Sequence, residues 1–232
     1  MRSARWAIAG LLFVFCARVL SQQGAGGPEV AGRITALLMT GSIERTGPRG
    51  KLNTLEAAKG GRVIWNDVLT TPDDGRMRVL LKDQSILSLG NKSRLVVVKH
   101  DAANQQTALD LAYGRVRAKV TEITRDSGSF EIRTPTAVAG VIGTDFVVDV
   151  DSGGETDVTC LKGNVKVRNA DPKIKGEEIV HEGHTTRVKR GAKPVKPTRA
   201  PKEKLERAQR ETEVSENGGH KQGAAHKGGK AK

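Results

Sequence analysis

The sequence predicts an all-β protein, and three observations predict it. Apolar and β-branched residues alternate over short runs; turn-forming Gly, Asp, Asn and Pro separate those runs; and helical periodicity is scarce throughout the body of the chain. Together they predict a single sandwich or roll-like domain of many short strands over residues 32–190, flanked by a signal peptide and a disordered basic tail.

The ends come off first. Arg2 and Arg5 precede a short apolar run over residues 6–16, and Val19-Leu20-Ser21 supplies small or neutral cleavage positions, so residues 1–21 read as a secretory signal peptide. The run is too short to span a bilayer comfortably, which favours a periplasmic or secreted protein over an uncleaved anchor. Phe15 before Cys16 is too bulky for a lipoprotein cleavage box. Residues 22–31 form a Gly-rich linker.

Strands follow in order. Residues 34–38 and 42–46 flank a Thr40-Gly41 turn, and 47–61 make a variable loop with one helical turn over 54–58. Short strands at 62–65 and 68–70 lead to Pro72-Asp73-Asp74-Gly75, a turn before it is a calcium loop. Met77, Val79 and Leu81 then alternate with Arg76, Arg78, Leu80 and Lys82. Further strands are expected at 85–89, 94–99, 108–112, 115–122, 130–133, 158–161, 164–168, 178–180 and 186–189.

Residues 134–150 are the hub. Ala137, Ala139 and Val141 alternate with Val138, Gly140 and Ile142, the pattern of a strand buried on both faces. Beyond Gly143, Phe146, Val148 and Val150 share one face and Asp145 and Asp149 the other, the pattern of a half-buried strand. Gly143 marks a bend, through positive φ or close backbone approach. Gly32, Gly61, Gly114 and Gly163 each precede a polar and a β-branched residue, but their unequal spacing gives no warrant for a solenoid.

The formal net charge of +13 sits at the ends: residues 1–28 carry +3, 187–232 carry +9 and 29–186 only +1. A nucleic-acid partner, which needs a basic folded face, is therefore not expected. With Cys16 in the leader, Cys160 is alone and reads as a small buried hydrophobe rather than a reactive thiol. The tail from residue 191 has Pro194, Pro197 and Pro201; residues 202–216 could form a solvated helix, with Glu203–Arg207 and Glu206–Arg210 at i,i+4, but their large apolar residues are Leu205 and Val214, too few for a packing face, so 191–232 read as disordered. Its Lys189, Arg190, Lys193, Lys196 and Arg199 could touch anionic wall or lipid.

No hydrolase elbow, zincin helix, Walker loop or dinucleotide fingerprint occurs, and no cofactor or metal is called for. His181-Glu182-Gly183-His184 lacks a third ligand and reads as a solvated turn. Asp145 and Asp149 are assigned to pairing with Arg115 or Arg117 rather than to acid–base work. The Thr144 hydroxyl is assigned to the turn backbone.

The run TPTAVAGVIGTDF, preceded by LAYGRVRAKV and followed by TCLKGNVKV, resembles the FecR domain of bacterial envelope proteins. GRVIWNDVLTTPDDGRMRVLLKDQSILSLG and SRLVVV fit the same pattern, extending the resemblance over about residues 32–190. It implies a periplasmic, non-catalytic module, best known as the outer half of regulators that signal to a sigma factor. It also implies a partner-contact role for Thr134, Pro135, Gly140, Gly143, Thr144, Asp145 and Phe146, residues whose roles are otherwise mainly structural. Those regulators carry a sigma-factor-binding segment and a membrane span before the β-domain, where this chain has a signal peptide. The expectation is thus an exported, non-enzymatic sensor module that binds an envelope protein, cell-wall partner or ligand, by capture at a free sheet edge. A structural protein tethered by its tail and an enzyme with an unfamiliar cluster of titratable residues are the alternatives.

Overall fold

The computed structural model describes residues 29–214. The chain runs through β1 (Val30–Leu38), β2 (Ser42–Thr46), a 3-10 turn (Pro48–Gly50), β3 (Leu52–Glu56), β4 (Arg62–Ile64), β5 (Val68–Thr71), β6 (Arg76–Leu81), β7 (Ile86–Leu89), β8 (Ser93–Asp101) and β9 (Gln106–Lys119). It continues through β10 (Ser129–Arg133), β11 (Ala137–Val141), β12 (Asp145–Val150), β13 (Thr156–Lys162), β14 (Asn164–Asn169), β15 (Glu177–His181), β16 (His184–Val188), β17 (Thr198–Arg199) and one helix, α1 (Lys202–Arg210). The all-β class is borne out. The expected signal peptide, linker residues 22–28 and tail residues 215–232 lie outside the described residues.

Pairing sorts the strands into two layers. The first sheet runs β4–β1–β6–β7–β9–β12–β13–β16–β17 and is antiparallel throughout. The second runs β3–β2–β5–β8–β9–β10–β11–β14–β15, with β9 and β10 its one parallel pair. Both follow chain order closely, so the chain shuttles between layers as it advances. The unequal glycine spacing conceals this progression.

β9 belongs to both layers. Residues 106–113 pair with β8, and residues 114–119 pair with β12. The switch falls at Gly114, with φ +85°, where an added Cβ would lie 2.2 Å from the Lys92 carbonyl oxygen. Glycine is required there on both counts. Gly163, at φ +88°, likewise carries the chain from β13 in the first sheet to β14 in the second.

The core fills the space between the layers. Leu109, Leu111, Phe130, Ile132, Ala137 and Ala139 from the second sheet meet Leu87, Leu89, Val116, Phe146, Val148 and Val158 from the first. Period-two alternation delivers these side chains inward, and burying each large one stabilises the fold by about 1.5–3 kcal/mol.

Several expectations need correction. The helical turn expected over 54–58 is strand β3, paired with β2 from Ser42↔Glu56 to Thr46↔Leu52; so short a segment cannot repay helix nucleation, whereas hairpin pairing satisfies its backbone. β1 and β2 flank the Thr40-Gly41 turn but enter different layers. The strands expected at 108–112 and 115–122 are one strand bent at Gly114. β1 begins at Val30, inside the expected linker, with Ala31 buried. In the hub, Ile142 is 70 % exposed because β11 ends at Val141, while Val147 on the outer face of β12 is only 3 % exposed.

What covers Val147 is the largest correction. Residues 191–214, expected to be disordered, are part of the fold. Thr198 and Arg199 pair with Thr185 and His184, Ala200 is buried, and α1 lies on the outer face of the first sheet with Ala208, Thr212 and Val214 buried.

Candidate functional site

The hub residues are spread through the framework rather than gathered on one surface. The Thr134 and Thr136 hydroxyls meet Thr156 Oγ1 at 2.7 and 2.8 Å, tying the start of β11 to β13. Pro135 borders a shallow depression with Val96, Leu111 and Val138. Gly140 faces open space, and Gly143 passes close to Glu122, whose Cα would be 3.1 Å from an added Cβ. The bend is thus explained by close approach, where β11 hands over to β12 in the other layer. Thr144 Oγ1 donates to the Asn164 carbonyl at 2.9 Å, not to its own turn. Phe146 is core.

Asp145 and Asp149 are held as the sequence indicates. Arg117 donates to both Asp145 oxygens at 2.7 Å, and Arg115 pairs with Asp149. The register extends this into a row across four strands: Arg115 on β9, Asp149 on β12, Asp157 on β13 and Arg187 on β16 are successive cross-strand partners. The two carboxylates in the middle lie opposite one another, a destabilising placement unless cations flank it. Arg187 forks onto Asp157 at 2.7 and 2.8 Å, and Lys204 Nζ of α1 lies 2.9 Å from the same carboxylate. Burial pushes the Asp157 carboxyl up, but the hydrogen bonds from Arg187 and Lys204 outweigh it and hold the pKa below the usual range.

The helix is clamped at its far end too. Glu211 pairs with Arg115, and Arg207 Nε donates to Glu211 at 2.9 Å. Arg76, reaching from β6, donates to the carbonyls of Arg210 and Glu213 at 2.9 and 3.2 Å. Between α1 and the sheet a groove of about 410 Å³ remains, lined by Val147, Asp149, Asp157, Thr159, Lys204 and Ala208. It adjoins an open cleft of about 600 Å³ beside the 42 % exposed Tyr113. Sequence reasoning leaves Lys204 and Glu211 unassigned, places Arg76 on a strand and Arg207 on a solvated helix, and gives none of the four a contact between tail and sheet. The available signal was Lys204, Ala208 and Glu211 at i, i+4, i+7, one face of a helix.

Other candidate groups are quiet. Burial pushes the Cys160 thiol up to about 11, and its Sγ lies 3.2 Å from the Gly163 carbonyl. His181 Nδ1 is 2.6 Å from Asn164 Oδ1, and His184 bonds within its own turn. Among the described residues no cluster of three His, Cys, Asp or Glu is placed to hold a metal. Lys189 lies 3.9 Å from Glu155, and Arg190, Lys193, Lys196 and Arg199 are exposed along the loop and β17.

The end strands of the second sheet lack an outer partner among the described residues. β15 exposes Ile179, and β3 has no buried residue, with Leu52 59 % and Leu55 41 % exposed.

The fold and site thus define a two-layer β-domain with paired charges, an open strand edge and a docked C-terminal arm. Residues 67–166, from just before β5 into the first half of β14, match the model of the FecR protein family. Two crystal structures of a candidate anti-sigma factor from Parabacteroides distasonis, at 1.65 and 2.50 Å resolution, share the fold at a TM-score of 0.50 and 13 % identity. The match covers 60 % of this chain and 62 % of that protein, so this chain spans less than two thirds of its length. No curated protein matches. Among the described residues no helix is long and apolar enough to cross a membrane.

Proposed function

We propose that the protein is a FecR-type sensor module of the bacterial envelope that acts by binding a partner protein and not by catalysis. The FecR match and the fold shared with an anti-sigma-factor candidate support a regulatory, signalling role. Binding without chemistry fits the site. The titratable groups under α1 are locked in ion pairs, Asp157 is held ionised, and Cys160 is buried.

The observation that carries the reading is the β3 edge. A five-residue strand with every side chain at least partly exposed and Leu52 and Leu55 uncovered is suited to strand addition, in which a partner's extended segment pairs with the free backbone and covers the leucines. Export by residues 1–21 places that partner in the envelope. The test is crosslinking to envelope fractions with residues 22–232, unmodified and carrying Leu52→Lys with Leu55→Lys. Loss of one specific crosslinked protein, at an unchanged melting temperature, is expected; undiminished capture removes the edge mechanism.

A second reading rests on exposed Arg190, Lys193, Lys196 and Arg199, which form a basic strip suited to anionic wall polymer or lipid. It predicts sedimentation with anionic vesicles that salt abolishes; binding insensitive to salt would remove it.

A further inference from the structure

The arm formed by β17 and α1 is attached differently from the rest of the fold. Strands elsewhere join by ladders of three or more residue pairs, most of them over a shared core, against two pairs for β17. α1 buries only Ala208 among its nine residues and starts after Pro201 with no side-chain cap. Its hold on the sheet is a set of charges at fixed places: Lys204 on Asp157, Glu211 on Arg115, and Arg76 on the last carbonyls.

The seat beneath is selective. Asp149 and Asp157 face each other across β12 and β13 and call for a cation, while Arg115 calls for a carboxylate. Lys204 and Glu211 are seven residues apart, about 10.5 Å along a helix, with Ala208 between them on the same face. The seat is also underfilled. A groove of about 410 Å³ remains beside the alanine, bordered by Val147 and Thr159. A helix with the same two charges and a larger apolar side chain in the middle would make every polar contact that α1 makes and bury more apolar surface.

The geometry points to a helix-docking surface on the outer face of β9, β12, β13 and β16, occupied in this chain by its own α1 as a weak built-in competitor. The partner it fits is a helix of another protein presenting Lys or Arg, then Leu or Met, then Glu or Asp at i, i+4 and i+7. This surface is separate from the β3 edge and does not depend on it. Binding displaces the arm, so occupancy is reported by release of residues 198–214.

The probes are labelled peptides of residues 198–214: unmodified, with Ala208→Leu, and with Lys204→Glu plus Glu211→Lys. They are titrated by fluorescence anisotropy against the full chain and against the full chain carrying Lys204→Glu and Glu211→Lys, whose own arm no longer matches its seat. The Ala208→Leu peptide should bind the opened chain roughly ten-fold or more tighter than the unmodified chain, and the charge-reversed peptide should bind neither. Binding that ignores charge reversal, or no binding to the opened chain, overturns the proposal. On chains with an intact seat, raising salt from about 0.05 to 0.5 M should speed tryptic cleavage at residues 202–210, and Ala208→Leu in the chain should slow it. Cleavage indifferent to both also overturns it. Failure here beside a β3-dependent crosslink leaves the proposed function standing.

Discussion

Gly114 is where one methyl group should do the most damage. With φ +85° and neighbouring atoms of Lys92 and Ser93 within 2.5 Å of an added Cβ, Gly114→Ala should destabilise by about 2–4 kcal/mol, read as a lower urea midpoint. Gly140→Ala, with nothing within 4 Å, is the control and should change little. His100 sets a pH dependence. Its ring is buried, Nδ1 is 2.9 Å from Thr107 Oγ1, and Nε2 lacks a hydrogen-bond partner, lying 3.9 Å from Asp83 Oδ1. Burial lowers its pKa, and so does Lys82, against the opposing pull of Asp83, Asp101 and Glu29. The folded state thus prefers neutral imidazole: stability is full above the unfolded value near 6.5 and falls as pH drops through the folded one. Thermal melts at about pH 7.5 and 5 should show that fall, and His100→Gln should flatten it. The pairing of Asp145 and Asp149 with Arg117 and Arg115 was legible, because strand period fixes which side chains share a face. Lys204 on Asp157 was not, since nothing local in the sequence brings residue 204 to residue 157.

At the scale of elements, strands with clean alternation such as β6 and β12 were legible. β3 was not: Leu-Asn-Thr-Leu-Glu does not alternate, and with no side chain buried it leaves no hydrophobic pattern to read. β9 looked like two strands because Gly114 reads as punctuation. The arm reads as a solvated helix because it lacks an apolar face, whereas α1 docks by charge, backbone pairing of β17 and a few small buried side chains. That attachment gives the arm its own acid response. The Asp157 pKa is lowered in the fold, so its contribution holds above the ordinary carboxylate range and is lost as pH falls through the folded value. Hydrogen exchange below about pH 4 should therefore show residues 202–210 opening before β12 and β13. Simultaneous exchange of arm and sheet would contradict this account.

The whole molecule is one core between two layers, and its stability should respond as one unit. Phe146→Ala, removing a fully buried ring at the meeting of the layers, should cost about 3–5 kcal/mol and lower a single unfolding transition rather than split it. The sequence carried the layer chemistry at this scale but not the winding order, which depends on which strands pair and not on what each contains. That order bears on assembly. Because both sheets add strands nearly in chain order, a chain appearing from its N-terminus can lay most new strands against ones already in place. The arm needs β6, β9, β13 and β16 together, through Arg76, Arg115, Asp157 and Thr185. Its closure is therefore a completeness check: a protein with any of those strands misplaced would leave residues 202–210 open to proteases, and only a finished one would hide them.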